Sequence, residues 1–357
     1  MTALTPVENT TPPAAREVSD RTALTLGIWF TVFISLAIVA LGVWLTRFEL
    51  ATPDLSDGFF YEWQLATPNF WNAATAWIGF ALHNLLIWGT TWWAQERYSK
   101  YTGTLRPANY WALAINAVFI VLHYVQTAVF YDGIAQDLPS WTAQFTVIMM
   151  LFVILAMENR RRGMVFGKKI NFRKEFYGWL RRYHGYAFSF AVIFTFWFHP
   201  MVPTFGHVFG FVHVILVMLQ GSLMFTRTHL DRKWNFLLEI IVLPHAAMVA
   251  LGQGTGIVYM FLFGFLTIFI VTQMHGLGLK AWVNYLFGAG YLLSILFTYL
   301  VLRAPYQANE IIRIPAIEYL MVFLMYGFWW LGARLLGQFG GKALLQKAWQ
   351  EGEPQAT

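Results

Sequence analysis

Histidine is the one residue type in this chain from which a cofactor site is readily built, and the chain holds nine histidines and no cysteine. The missing cysteine removes disulfide frameworks, iron–sulfur clusters, thiolate nucleophiles, cysteine-bound zinc and thioether-attached haem together. What is left to histidine is axial ligation of haem b, a non-haem metal centre, proton chemistry or plain hydrogen bonding. Counted from the ends of the apolar segments, His123, His199, His207, His213 and His245 fall in the outer half or at the outer edge. His83 sits near the middle of the second segment, and His184, His229 and His275 lie at or just beyond the opposite, cytoplasmic ends.

Haem b held by two imidazoles needs them on facing helices at one depth, with small residues nearby so that a flat porphyrin fits between the helices. His184 and His199 are fifteen residues apart, roughly 22 Å of helical rise with a net turn of about 60°, so one helix can present a ligand near each membrane face. The antiparallel sixth segment offers His213 and His229, sixteen residues apart and about 160° different in direction, a departure from a regular two-haem ladder. His123, His199, His213 and His245 are the expected cofactor-binding set, with His199, His213 and His245 as ligands of haem iron or of a non-haem metal. His83, His184, His229 and His275 form a second set. In depth and spacing alone the arrangement is similar to that of di-haem membrane b cytochromes, which implies haem b and electron transfer. The competing expectation is that these imidazoles are structural, each hydrogen-bonded to a neighbouring helix. Glu239, the one carboxylate well inside an apolar segment, is expected either to relay protons or to pair with a cytoplasmic arginine such as Arg232. Glu318 is expected to reach the outer interface.

The elements that must position these residues are dictated by composition. Hydrophobic residues make up 58% of the 357 and charged residues 12%, whereas a soluble domain carries roughly a quarter charged. An all-α, polytopic integral membrane bundle follows. Its 17 Trp, 16 Tyr and 33 Phe gather where apolar segments end, as rings anchoring at the headgroup level do. Ten apolar segments approach or reach the ~20 residues that span a hydrocarbon core. They run from about Leu24 to Thr46, Phe70 to Trp93, Tyr110 to Phe130, Trp141 to Met157, Gly185 to Val202, Val208 to Phe225, Phe236 to Leu251, Gly256 to Met274, Trp282 to Leu302 and Ile314 to Leu335. The fourth, fifth and seventh are the shortest and have re-entrant segments as their alternative. With both termini cytoplasmic, every one of the 24 basic residues except Arg47, Arg303 and Arg313 falls inside, the positive-inside pattern expected of a bacterial inner-membrane protein. Glu49, Asp54, Asp57, Glu62, Asp132 and Asp137 fall in the outer loops.

The expected organisation is therefore a polar cytoplasmic tail over 1–23, a transmembrane bundle over 24–335 and a cytoplasmic tail over 336–357. No signal peptide is read in the first tail, and its Asn9-Thr10-Thr11 triplet is a chance glycosylation match. Between the fourth and fifth segments, Phe172, Phe176, Trp179, Leu180 and Tyr183 share one helical face while lysines and arginines fill much of the rest. That pattern predicts an amphipathic helix near 168–183 lying on an anionic leaflet.

Several chemistries are excluded by pattern. No HxxxH or HxxHH cluster exists for a di-iron desaturase, no mid-segment lysine for retinal, and no adjacent histidines for a copper–haem oxidase. Gly252-Gln253-Gly254-Thr255-Gly256 lacks the spacing of a phosphate loop and reads as an outer turn. The expected function is a membrane-embedded b-type haem redox protein, an oxidoreductase exchanging electrons with quinone or a partner in a membrane complex. Membrane lipids are its surroundings and nucleic acid is not a partner. Alternatives are a secondary transporter, a membrane enzyme acting on a lipid or isoprenoid and a structural subunit of a larger complex.

Overall fold

Each apolar segment folds as a helix, and the polar residues between segments supply the caps. The computed structural model describes residues 17–52, 63–139, 141–252 and 256–338. The glycosylation triplet, the loop acids Asp54, Asp57 and Glu62, the middle of the glycine turn and the end of the C-terminal tail lie outside the described residues. The helices are α1 (Asp20–Leu45), α2 (Phe70–Arg97), α3 (Pro107–Phe130), α4 (Trp141–Arg162), α5 (Lys174–Phe198), α6 (Phe205–Ser222), α7 (Arg232–Ile240), α8 (Val242–Gly252), α9 (Val258–Val271), α10 (Ala281–Phe297) and α11 (Arg313–Gln338). Among the described residues there is no β-strand, only isolated bridges.

Helix starts follow capping chemistry. Ser19 Oγ accepts the Thr22 amide at 3.0 Å to open α1, and Asp231 Oδ1 accepts the Lys233 and Trp234 amides at 3.0 Å to open α7. At α2, Asn69 and Asn72 each accept the other's amide in a reciprocal box. These contacts satisfy backbone donors that a helix end leaves orphaned, which matters most where no water reaches. The seventh segment is broken: α7 stops at Ile240 and α8 begins at Val242. Pro244 explains the break, since it has no N–H to return to the carbonyl one turn earlier.

Among the described residues, eight helical stretches are long and apolar enough to cross a membrane. The protein is thus a polytopic helical membrane bundle. Ten such spans were expected, and the two outside that set are α2 and α5, 28 and 25 residues long. Both have the length but are richer in polar side chains: α2 carries Asn72, His83, Asn84 and Gln95, and α5 carries Arg181, Arg182 and His184. The polar face of α2 turns inward. Asn72, His83 and Asn84 are all buried. Lipid-facing surface is supplied by helices such as α1, with Leu26, Phe33, Leu36 and Val43 exposed, and α10, which buries none of its residues.

Packing places α2 against α3 and α5, α6 against α1, α3, α5 and α8, and α4 against α5 and α11. The central layer is aromatic: Phe194, Phe196, Trp197 and Phe198 of α5 pack with Phe119, Ile38, Ala76 and Ile193. Gly79 on α2 makes room for the Trp197 indole, since a Cβ there would stand 2.2 Å from Trp197 Cη2. Gly79→Ala is therefore expected to destabilise the bundle by about 1–3 kcal/mol through overpacking, read as a lower melting temperature in detergent. An unchanged melting temperature would show that the indole can move aside.

The basic segment near 168–183 differs from its expectation. It does not form a separate surface helix but continues from Lys174 into α5 without a break. Phe176 and Leu180 are buried, and the Phe176 ring meets Tyr326 at 5.1 Å and Trp329 at 5.4 Å. The apolar face that fits a leaflet fits α4 and α11 equally well, and periodicity alone cannot separate the two.

Candidate functional site

Two groups of histidines stand toward opposite ends of the bundle, with His83 near its middle. The basic end is the one carrying Arg160 to Arg162, Arg181 and Arg182; His184 and His229 meet there. His184 lies on α5, and its Nδ1–H donates to the carbonyls of Arg181 at 2.9 Å and Leu180 at 3.2 Å. His229 lies on a short 3-10 turn, Thr228–Leu230, between α6 and α7. Its Nδ1–H donates to the Gln220 carbonyl at 2.9 Å. The two ring centres are 6.4 Å apart with 44° between the planes.

Both rings thus have Nδ1 fixed by backbone, and neither Nε2 has a hydrogen-bond partner among the described residues. A carbonyl on Nδ1 sets the tautomer that leaves Nε2 as a lone-pair donor, the usual outer arrangement behind a metal-bound imidazole. Gln220 secures the second ring further: its amide donates to the His229 carbonyl at 2.9 Å, and its Oε1 accepts the Trp234 indole N–H at 2.7 Å. Burial lowers the pKa of His229 below that of an ordinary imidazole, so the ring is neutral near pH 7.

At the opposite end, the rings of His199 and His207 are 5.0 Å apart, edge to face, and Trp63 stands 4.3 Å from His207. His245 lies within electrostatic reach of both histidines. His213 and His245 are 6.5 Å apart with planes at 70°. All five outer imidazoles are thereby near one another, His123 through its reach to His199, as their depths in the sequence suggest. Their nitrogens are differently committed from those of the basic-end pair. His213 Nε2–H donates to the Leu238 carbonyl at 3.0 Å, and the His245 Nε2 edge rests against Gly210, where a Cβ would approach it to 2.9 Å.

His199, His213 and His245 do not form a three-ligand site for one ion. Among the described residues, no group of three His, Asp or Glu side chains stands close enough to hold an ion. His123 and His83, expected as ligands, are held by hydrogen bonds instead. His123 is fully buried, with Nε2 on the His199 carbonyl at 2.9 Å and Nδ1 on Gln126 at 3.1 Å. His83 is also fully buried. It donates from Nε2 to Asn116 Oδ1 at 2.7 Å, receives the Trp197 indole N–H on Nδ1 at 3.3 Å, and stacks on Phe119. His275 turns its Nε2 onto the Ile270 carbonyl at 3.2 Å.

Compared with protein-family models, curated proteins and solved structures, the chain matches none. The functional reading therefore rests on the geometry alone.

Two details of the interior depend on packing that the sequence does not show, although pairing of Glu239 with a cytoplasmic arginine was one of its expected roles. His207 has a buried Nε2 with no hydrogen-bond partner, while its Nδ1 meets the Thr204 cap hydroxyl at 2.7 Å. The Thr204-x-x-His207 spacing at a helix start was the available signal. Glu239 pairs not with Arg232 but with Arg162, at 2.7 Å, with side chains only 5% and 3% exposed. Arg232 instead donates to the Gly276 carbonyl. Glu318, expected at an interface, is 2% exposed and within electrostatic reach of that pair.

Proposed function

We propose that this chain is a membrane-embedded b-type haem redox protein in which His184 and His229 would hold the haem. One observation carries the reading: two imidazoles on separate elements, each with Nδ1 tied to backbone and Nε2 uncommitted, at a centre-to-centre distance of 6.4 Å. A metal–imidazole bond is roughly 2 Å long, so two rings at this separation could both reach one iron. The outer pair His213 and His245 has the same spacing, but His213 has spent its Nε2 on a carbonyl. The weight accordingly moves from the outer half of the bundle to the basic end.

Haem b would supply a one-electron iron couple at this place. The protein's part is to hold the two rings, through the Arg181 and Gln220 carbonyls, and to keep them neutral by burial. Under the positive-inside pattern the basic end faces the cytoplasm of a bacterial inner membrane, and quinone or a partner in a membrane complex would exchange electrons there. The test is the visible spectrum of the detergent-purified protein before and after dithionite. A Soret band with sharp reduced α and β bands is expected. Protein that stays colourless after expression with ample haem would overturn the reading.

A secondary transporter is favoured as second reading by one feature: the break between α7 and α8 lies beside the buried Glu239, and broken helices next to buried charge mark ion sites in transporters. A colourless protein stabilised by a transported solute would support it.

A further inference from the structure

At the basic end, a second polar cluster stands apart from the histidine pair. Arg162 closes α4, Glu239 lies on α7 and Glu318 on α11, so three separate elements each send one charged residue inward. The Arg162 guanidinium donates to Glu239 Oε2 at 2.7 Å, and Gln273 donates to the same oxygen at 3.3 Å. Glu239 is thereby matched one to one. Glu318 is not: it is 2% exposed, and its Oε1 is buried with no hydrogen-bond partner. Arg162 Nε is likewise buried and unpartnered. The groups that face Glu318 are Arg162 and Glu239, with Tyr319 beside it on its own helix. Glu158 and Arg161 act on Glu239 from the rim of the same helix as Arg162.

One positive charge cannot neutralise two carboxylates, and an extra anion without a donor is not tolerated in a dry interior. Something positive must sit on Glu318. A metal cation would meet the Arg162 guanidinium and lacks oxygens to complete its shell, and no set of three acidic or histidine groups gathers here among the described residues. A proton needs neither.

We propose that Glu318 is a proton-binding site of the bundle, held as the neutral carboxylic acid beside the Arg162–Glu239 pair and exchanging its proton with water at the basic end. On release, the O–H bond breaks, the electron pair stays on the carboxylate and water takes the proton. The new anion then competes with Glu239 for the one guanidinium, so that α4, α7 and α11 share a charge that depends on proton occupancy. The site stands independently of the haem reading and would serve either a redox protein or a transporter.

Infrared spectroscopy of the full chain in phosphatidylcholine nanodiscs tests this directly. At neutral pH the wild type is expected to show the carbonyl stretch of a protonated carboxylic acid that shifts in D2O and vanishes at high pH. Asp132 is a possible second source of such a band, because burial and the nearby Asp137 push its carboxyl up to about 7. Carbon-13 labelling of glutamate alone separates the two. The labelled band should be absent at every pH in Glu318→Gln, while in Glu239→Gln, where Arg162 is left facing Glu318 alone, it should vanish at a lower pH than in the wild type. Loss at every pH in Glu239→Gln alone, or no glutamate band at neutral pH in the wild type, would overturn the proposal, and a carboxylate band that responds to Na+ would replace the proton by a cation. Should Glu318→Gln fail to fold, Glu318→Asp must remove the labelled band, and its persistence would be equally fatal.

Discussion

His229→Ala and His184→Ala are each expected to lower haem content at least tenfold, while leaving a folded bundle. Neither ring fills the interior as His83 does; both are only half-buried, and each makes its ring hydrogen bonds only to backbone carbonyls. Truncation costs the fold little and removes a ligand outright. Imidazole added to the purified His229→Ala protein should restore the α and β bands in part, since the space vacated is the size of the reagent. A merely structural histidine would give no such rescue. His213→Ala and His245→Ala should keep the spectrum. If they lose it while His184→Ala and His229→Ala keep theirs, the haem sits at the outer end and not between His184 and His229. Acid should release the group as well, because a protonated imidazole cannot ligate. With the pKa of His229 lowered by burial, that loss is expected below the range in which a solvated histidine titrates.

Most of the fold could be read from the chain because apolar length is a direct signal of crossing a membrane. The ten segments reappear as helices, with the seventh broken where Pro244 stands. What could not be read is rotation about each helix axis. Depth along a segment follows from counting residues, so the separation of His184 and His229 from His199, His207, His213 and His245 was legible. Which nitrogen meets which carbonyl depends on packing, and so His123 and His83 could not be told from ligands beforehand. Arg162 shows the same limit. It ends a run of three arginines that orientation alone explains, yet its side chain is buried while Arg160 and Arg161 lie nearer water. The amphipathic stretch of α5 failed in another way, since a face made for lipid and a face made for a neighbouring helix have the same composition in a membrane protein.

Arg162→Met is expected to be the most damaging single change in the bundle. The variant strips the charge from a pair whose members are 3% and 5% exposed and leaves Glu239 in the interior with only the Gln273 amide at 3.3 Å. Removing one partner of a buried pair costs about 3–5 kcal/mol, most of it the penalty of an uncompensated charge. The contrast is the pair of Arg21 with Asp231, 3.7 Å apart with Arg21 82% exposed, where a loss near zero is expected because solvent already screens the charges. Intrinsic tryptophan fluorescence during heating in detergent reads both. The decisive comparison is Arg162→Met with Glu239→Gln combined: if the damage comes from the stranded anion, the double variant should recover most of the stability that the single one loses. Equal damage in both would place the cost in the packing of the Arg162 stem beside Gly276, where an added Cβ would come within 3.1 Å of its Cδ, and not in its charge.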